Sequence, residues 1–260
     1  MAESAIGEKP SQALLVVLGV AVVCALLVSL SAVNLRPHYV ANLEAYRLAQ
    51  LESILTALSQ TGFEVAPADI ETRVVELASG RYAGKPDPAT FDALKAANDP
   101  STSIAIAPDR DVAGIKRRAM HATVFLVRDA QRNVALIILP VYGSGYQSTL
   151  RGFLALEGDT TRVVALRFYE HGDTPGIGAR IQDASWEALW QGKRVYDDDG
   201  ALRLGVARGE VSPGSADADH MVDGISGATR TSQGVHGLLR FWLGDLGFGP
   251  YLERIRQGKG

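Results

Sequence analysis

The chain has 260 residues, 47% of them hydrophobic, with 26 basic and 29 acidic side chains for a formal net charge of -3. That composition supports a sizeable core plus an appendage and excludes a disordered chain, and its near-neutral balance gives no electrostatic case for nucleic acid as a partner. Cys24 is the single cysteine, so the chain has no intramolecular disulfide, thiolate metal site or cysteine-ligated iron–sulfur cluster of its own.

Residues 1–12 form a polar tail. From Ala13 to Val33 no residue is charged, and as a helix this run spans about 31 Å, the thickness of a bilayer's hydrocarbon core. A signal peptide's apolar stretch is only about 7–15 residues long and follows a basic segment. The tail here is barely basic, so a retained transmembrane anchor is the better reading. Lys9 on one side against Arg36 and Arg47 on the other leaves its orientation open.

Leu35-Arg36-Pro37 ends the run. Leu48, Leu51, Leu55 and Leu58 then mark an amphipathic helix closed by Gly62, which either packs on the extramembrane domain or meets a neighbouring membrane subunit. Residues 34–100 as a whole read as this helix and an N-terminal lobe, with a strand-like piece at Thr72 to Leu77 and turns at Ser79-Gly80 and Pro86-Asp87-Pro88. No chemistry is evident there.

Strand patterns dominate residues 101–260. Ala122 to Val127, Val134 to Leu139, Gly152 to Leu156 and Val163 to Phe168 are rich in β-branched, aliphatic or aromatic residues and are separated by polar turns, which predicts an antiparallel sheet built from hairpins. Asp183 to Gly192 reads as a short helix, and Leu202 to Ala207 as a further strand. Val235, Leu238, Leu239, Trp242 and Leu243 form the apolar stripe of a helix starting between Thr229 and Ser232. The fold class expected is α+β: one N-terminal transmembrane helix, then an extramembrane domain on an antiparallel sheet with flanking helices.

Chemistry concentrates before that last helix, in Asp223-Gly224-Ile225-Ser226-Gly227-Ala228-Thr229. A helix start presents unpaired backbone N–H groups and a partial positive charge, a fit for an anion such as phosphate, and Gly227 and Ala228 let the backbone come close. A Ser/Thr-rich helix cap is the plain alternative. The other glycine-punctuated stretches are Pro140 to Glu157, with Tyr142, Ser148 and Thr149 at hand, and Tyr169 to Gly178, which includes Glu170, His171, Thr174, Pro175, Gly176 and Ile177. Each read alone is a loop between strands. Asp217, Asp219, His220 and Asp223 match no EF-hand or zinc spacing, so a solvated loop is the better reading and no metal is expected.

Asp223 to Thr229 resembles the flavinylation motif of the FMN-binding domain family, Asp-x-x-(Ser/Thr)-Gly-Ala-(Ser/Thr), in which the last hydroxyl residue carries FMN as a phosphoester. Together with Tyr142-Gly-Ser-Gly, Ser148 to Glu157 and Phe168 to Gly178, it resembles, in order, the blocks of the C subunits of Na+-translocating NADH:quinone reductases. The resemblance is strongest from about Pro140 onward and thin between Phe63 and Pro100. It departs at Gln147, where an aromatic residue is expected.

The resemblance implies covalent FMN on Thr229, with Ser226, Gly227 and Ala228 at the phosphate and Asp223 ordering the motif for a flavin transferase. It further implies that Glu170 and Thr174 to Gly178 approach the ring, with Tyr142, Ser148 and Thr149 close by. No residue is expected to act as a catalytic nucleophile or base. The implied function is electron transfer from NADH towards ubiquinone coupled to Na+ export, within a multi-subunit complex of the bacterial inner membrane, the N-terminus cytoplasmic and the main domain periplasmic. Three alternatives stand beside it: the equivalent FMN subunit of the Rnf ferredoxin:NAD+ oxidoreductase, a membrane-anchored scaffold with no redox role, and a flavin reductase acting alone. Absence of a Gly-x-Gly-x-x-Gly fingerprint counts against direct NADH oxidation.

Overall fold

The structure, a computed structural model, describes residues 14–31, 33–35, 70–88 and 90–259. The expected amphipathic helix through Leu48, Leu51, Leu55 and Leu58 lies outside the described residues, as does the polar tail. Helix α1, Leu14–Leu35, has a mean hydropathy of 2.9 and is long and apolar enough to cross a membrane. Its apolar side chains are exposed along the helix, and it belongs to a different compact unit from the domain that follows.

The domain is organised by a six-stranded sheet. In chain order its strands are β1 (Ile70–Glu76), β2 (Arg81–Tyr82), β5 (His121–Arg128), β6 (Val134–Ser144), β7 (Thr149–Glu157) and β8 (Val163–Glu170). They lie in the order β2-β1-β5-β6-β7-β8, and every pairing is antiparallel. The sheet thus joins residues on both sides of position 100. Helix α2 (Ala93–Asn98), capped by the Asp92 carboxylate, and the two-stranded ribbon of β3 (Ser103–Ala105) and β4 (Arg117–Ala119) lie between β2 and β5 in sequence.

Period-two patterning decides which side of the sheet each residue serves. Val124, Leu126, Ile137, Leu139, Leu154, Leu156 and Leu166 point into the main core, where they meet the apolar face of α4 (Thr229–Trp242) and α5 (Gly249–Arg256). Trp186 of the short helix α3 (Ala184–Glu187) and Trp190 just after it pack there too. Trp190 is wholly buried, and removing its ring would cost about 3–5 kcal/mol. The opposite face is apolar as well: Leu136, Ile138, Phe153, Val164 and Tyr169 form a second buried cluster, with Phe153 edge-on to Phe125 at 6.0 Å and tilted against Tyr169 at 5.1 Å.

One expectation changes on inspection, and one helix is new. The strand read from Leu202 to Ala207 shrinks to β9 (Gly205–Val206), paired in parallel with β10 (Met221–Val222). Leu202 only bridges to Tyr196. Helix α5 has no counterpart in the sequence reading, because Gly247-Phe248-Gly249-Pro250 reads as a breaker. Pro250 instead occupies the first turn of α5, where its missing N–H is no loss.

Helix α4 lies close against the end of β6 because it carries glycine where other helices carry side chains. A Cβ on Gly234 would come within 2.5 Å of the Ser144 carbonyl oxygen, and one on Gly237 within 2.2 Å of the Val112 carbonyl oxygen. Each glycine costs about 1 kcal/mol of helix propensity relative to alanine. The return is backbone-to-backbone approach, which sets the start of α4 beside the β6–β7 hairpin.

Candidate functional site

The loop before α4 is tied down from several sides. The Asp223 carboxylate accepts the Val211 N–H at 2.7 Å, and the Asp223 carbonyl accepts the Trp186 indole N–H at 3.0 Å. Gly224 N–H donates to Gly209 O at 2.9 Å. The buried Ser232 hydroxyl reaches back to accept Ile225 N–H, also at 2.9 Å. Gly227 then takes φ +78°, a conformation open to glycine with little penalty.

This bracing leaves the first turn of α4 unspent. Ala228 occupies the N-cap position and supplies no side-chain cap, so the leading N–H groups lack the usual Ser, Thr or Asp acceptor. Ser226, Gly227 and Thr229 are exposed. Thr229 begins the helix, in the position expected of the residue that bears the phosphate.

A cleft of about 470 Å³ opens against this turn, lined by Gly227 to Thr231, Asp173, Thr174, Ile177, Gly178, and the hairpin residues Tyr146 and Gln147. Three separate stretches of the chain therefore converge on it. The loop from Thr174 to Gly178 is held by Ile177 and Ala179 N–H groups, both donating to Thr174 O at 3.1 Å. Loop and hairpin are pinned together by Gly172 N–H donating to the Ser148 hydroxyl. A register shift between β7 and β8 at Arg151/Gly152 lies where this loop departs, a common place for a bulge beside a functional site.

Not every expected residue meets there. Thr174, Ile177 and Gly178 line the cleft with Thr229, whereas Tyr142, Ser148 and Thr149 line a neighbouring one of about 620 Å³, with Lys116, Arg117 and Arg151. Tyr146 and Gln147 border both. Glu170 faces Arg151 at 3.4 Å and lines neither. The Tyr142 phenol is pushed up to about 12 by burial, so it stays protonated, and its ring lies 4.8 Å from that of Trp242. A third cleft, of about 1020 Å³, lies on the other side of the motif and includes Arg208, Ser226, Thr229 and His236. His236 accepts Val206 N–H at Nδ1. Burial first, then Arg240, holds its pKa below the usual value.

Two features escaped the sequence. Tyr146, half exposed, offers an aromatic face beside Gln147, with the Arg230 guanidinium 5.5 Å from its ring centre. Asp173 and Thr231, 4% and 2% exposed, are joined by a 2.6 Å hydrogen bond from hydroxyl to carboxylate. They are 58 positions apart, so no local pattern pairs them. As for the acidic loop, Asp217 pairs with Arg203 and His220 Nδ1 contacts Arg194 O. Among the described residues no group of three or more His, Cys, Asp or Glu is gathered as a metal site.

An uncapped helix start beside a cleft lined by glycines and small hydroxyl residues suits an anion such as a phosphate, and residues 145–244 match the FMN-binding domain model. Similarity extends well beyond that segment. The chain is 42% identical over 261 residues to the C subunit of the Na(+)-translocating NADH-quinone reductase of Pseudomonas aeruginosa, covering 97% of this chain and 98% of that one. It is 39% identical over 246 residues to the same subunit of Vibrio alginolyticus, covering 94% of each. A crystal structure of NqrC from Shewanella oneidensis superposes with a TM-score of 0.66 at 35% identity, over 73% of this chain and 85% of that one. The chain belongs to the family of Na(+)-translocating NADH-quinone reductase C subunits.

Proposed function

We propose that this protein is the single-pass, FMN-carrying subunit of a Na+-translocating NADH:quinone reductase of the bacterial inner membrane. In this reading it holds flavin covalently on Thr229 and relays electrons from NADH towards ubiquinone. The observation that carries the reading is the convergence of an exposed Thr229, an uncapped helix start and the Thr174–Gly178 loop on one cleft. Bound FMN supplies the redox chemistry, accepting and passing on electrons.

The chain's own part is to attach, hold and exclude. Attachment would form a bond from Thr229 Oγ1 to the flavin phosphorus of a flavin-containing diphosphate donor as the P–O bond to the donor's other phosphate breaks; that phosphate monoester leaves with the electron pair, and the hydroxyl proton passes to it or to solvent. A flavin transferase is the partner for that step, and Asp223 serves it by fixing the motif through Val211. Ser226, Gly227, Ala228 and the first turn of α4 hold the phosphate. Thr174, Ile177 and Gly178, which line the cleft, and Pro175 and Gly176 in the same loop would hold the ring, with Tyr146 as the aromatic neighbour. Tyr142, Ser148 and Thr149 act one layer away, Ser148 by anchoring Gly172. With the domain on the periplasmic side, α1 tethers it to the other subunits of the complex.

Intact mass and in-gel flavin fluorescence after denaturation test this, using the full chain co-expressed with a transferase proven on a control substrate. The wild type is expected to gain one FMN, and Thr229→Ala to gain none. A wild type that stays unmodified under those conditions removes the covalent reading and moves a non-redox scaffold to the front.

A further inference from the structure

We propose that Asp173 is a positioning residue that holds the reduction potential of the cleft's flavin down, making it a stronger electron donor than the cleft would otherwise allow. The proposal rests on the FMN reading of the Thr229 cleft. Asp173 is the one carboxylate among the residues lining that cleft, and it is 4% exposed. Its Oδ2 accepts the Thr231 hydroxyl at 2.6 Å. Its Oδ1 is 3.4 Å from the Gln147 N–H, and its own N–H donates to His171 Nδ1 at 3.2 Å. One side chain therefore links all three stretches that form the cleft: hairpin tip, loop and first turn of α4.

No cation pairs with it among the described residues. Arg230, the cleft's one cationic lining residue, stands over Tyr146 instead. A buried carboxylate held by two neutral hydrogen-bond donors, and by no cation, directs a net negative field towards whatever occupies the cleft, offset only in part by those donors, because the low-dielectric surroundings screen it weakly. Electrons added to a bound flavin increase the negative charge there, and a fixed negative charge opposes them. The link through Thr231 gives the same residue a structural task, since it clamps the first turn of α4 two residues beyond Thr229.

Asp173→Asn separates the two tasks, for it removes the charge but keeps an oxygen to accept from Thr231. Spectroelectrochemical titration of the loaded protein is expected to show a higher midpoint potential in the variant. At a fixed ambient potential the reduced-to-oxidised ratio should rise about tenfold, equivalent to about 30 mV for a two-electron couple. Asp173→Glu, which restores the charge, should bring the potential back. Should Asp173→Asn not fold, Thr231→Val decides. Stripping the hydroxyl from the carboxylate leaves its charge less neutralised, and the potential should fall below that of the wild type.

Covalent loading is scored first, by fluorescence in denaturing gels. A wild type that takes no flavin defeats the site reading, and with it this proposal. Proteins that load and melt normally yet show the wild-type potential in Asp173→Asn, or in Thr231→Val where that is the deciding variant, overturn the role of Asp173 alone.

Discussion

Two adjoining clefts share the hairpin tip at Tyr146 and Gln147, and they differ in a way that bears on anion binding. The larger has the stronger positive charge, from Lys116, Arg117 and Arg151, while the smaller offers Thr229 and the start of α4. Counted by charge, the first is the better place for a phosphate. Its arginines are already engaged, however: Arg117 donates to the Ser103 hydroxyl and carbonyl, and Arg151 faces Glu170. The smaller cleft, with Asp173 and Arg230 among its lining residues, has little net charge but unspent backbone donors in fixed directions, with a hydroxyl available for a bond. On the proposed reading, donors that need no reorganisation outweigh charge that the protein has already committed.

The contrast breaks most sharply if α4 is moved. Gly237→Ala places a Cβ 2.2 Å from the Val112 carbonyl oxygen. Overpacking of about 3 kcal/mol, less about 1 kcal/mol gained in helix propensity, leaves a net loss of about 2 kcal/mol. The melting temperature should drop by roughly 4–8 °C, and flavin loading should fall with it, while the arginine cleft keeps its lining. Equal loading at full rate would mean that the seat of α4 does not control the site.

A smaller effect comes from His236, on the same helix. Its pKa is depressed in the fold by burial and by Arg240, so the unfolded chain binds the proton more tightly. The stability it contributes is complete above the unfolded value near 6.5 and is lost as pH falls through the folded value. Denaturant midpoints measured from pH 7.5 down to 5 should decline, and His236→Gln should flatten part of that decline. The smallest effect belongs to the other cleft. Arg151→Ala breaks only the 3.4 Å, partly exposed contact with Glu170, so it should cost less than about 1 kcal/mol and leave covalent loading unchanged.

The difference between the clefts also explains what was legible in the chain. The helix start at Thr229 was readable because the loop from Asp223 and the apolar stripe of α4 are contiguous in sequence, and the strands were readable because β-branched runs and polar turns alternate locally. Tyr142, Ser148 and Thr149 belonged to the right hairpin, yet a hairpin tip separates two surfaces, and nothing in the sequence states which surface faces Thr229. Asp173 and Thr231 become partners only when β8 and α4 come together. Helix α5 was hidden by glycines and a proline that the fold uses at its first turn, where backbone donors are not needed.

The central claim is that the flavin ring lies in the Thr229 cleft and not among the arginines. A crystal structure of the flavinylated domain tests it most directly. The ring is predicted between Tyr146 and the Thr174–Gly178 loop, with its phosphate on Thr229 at the first turn of α4. Ring density beside Arg117 and Arg151 would contradict the account, and would mean that committed charge prevails over free backbone donors after all.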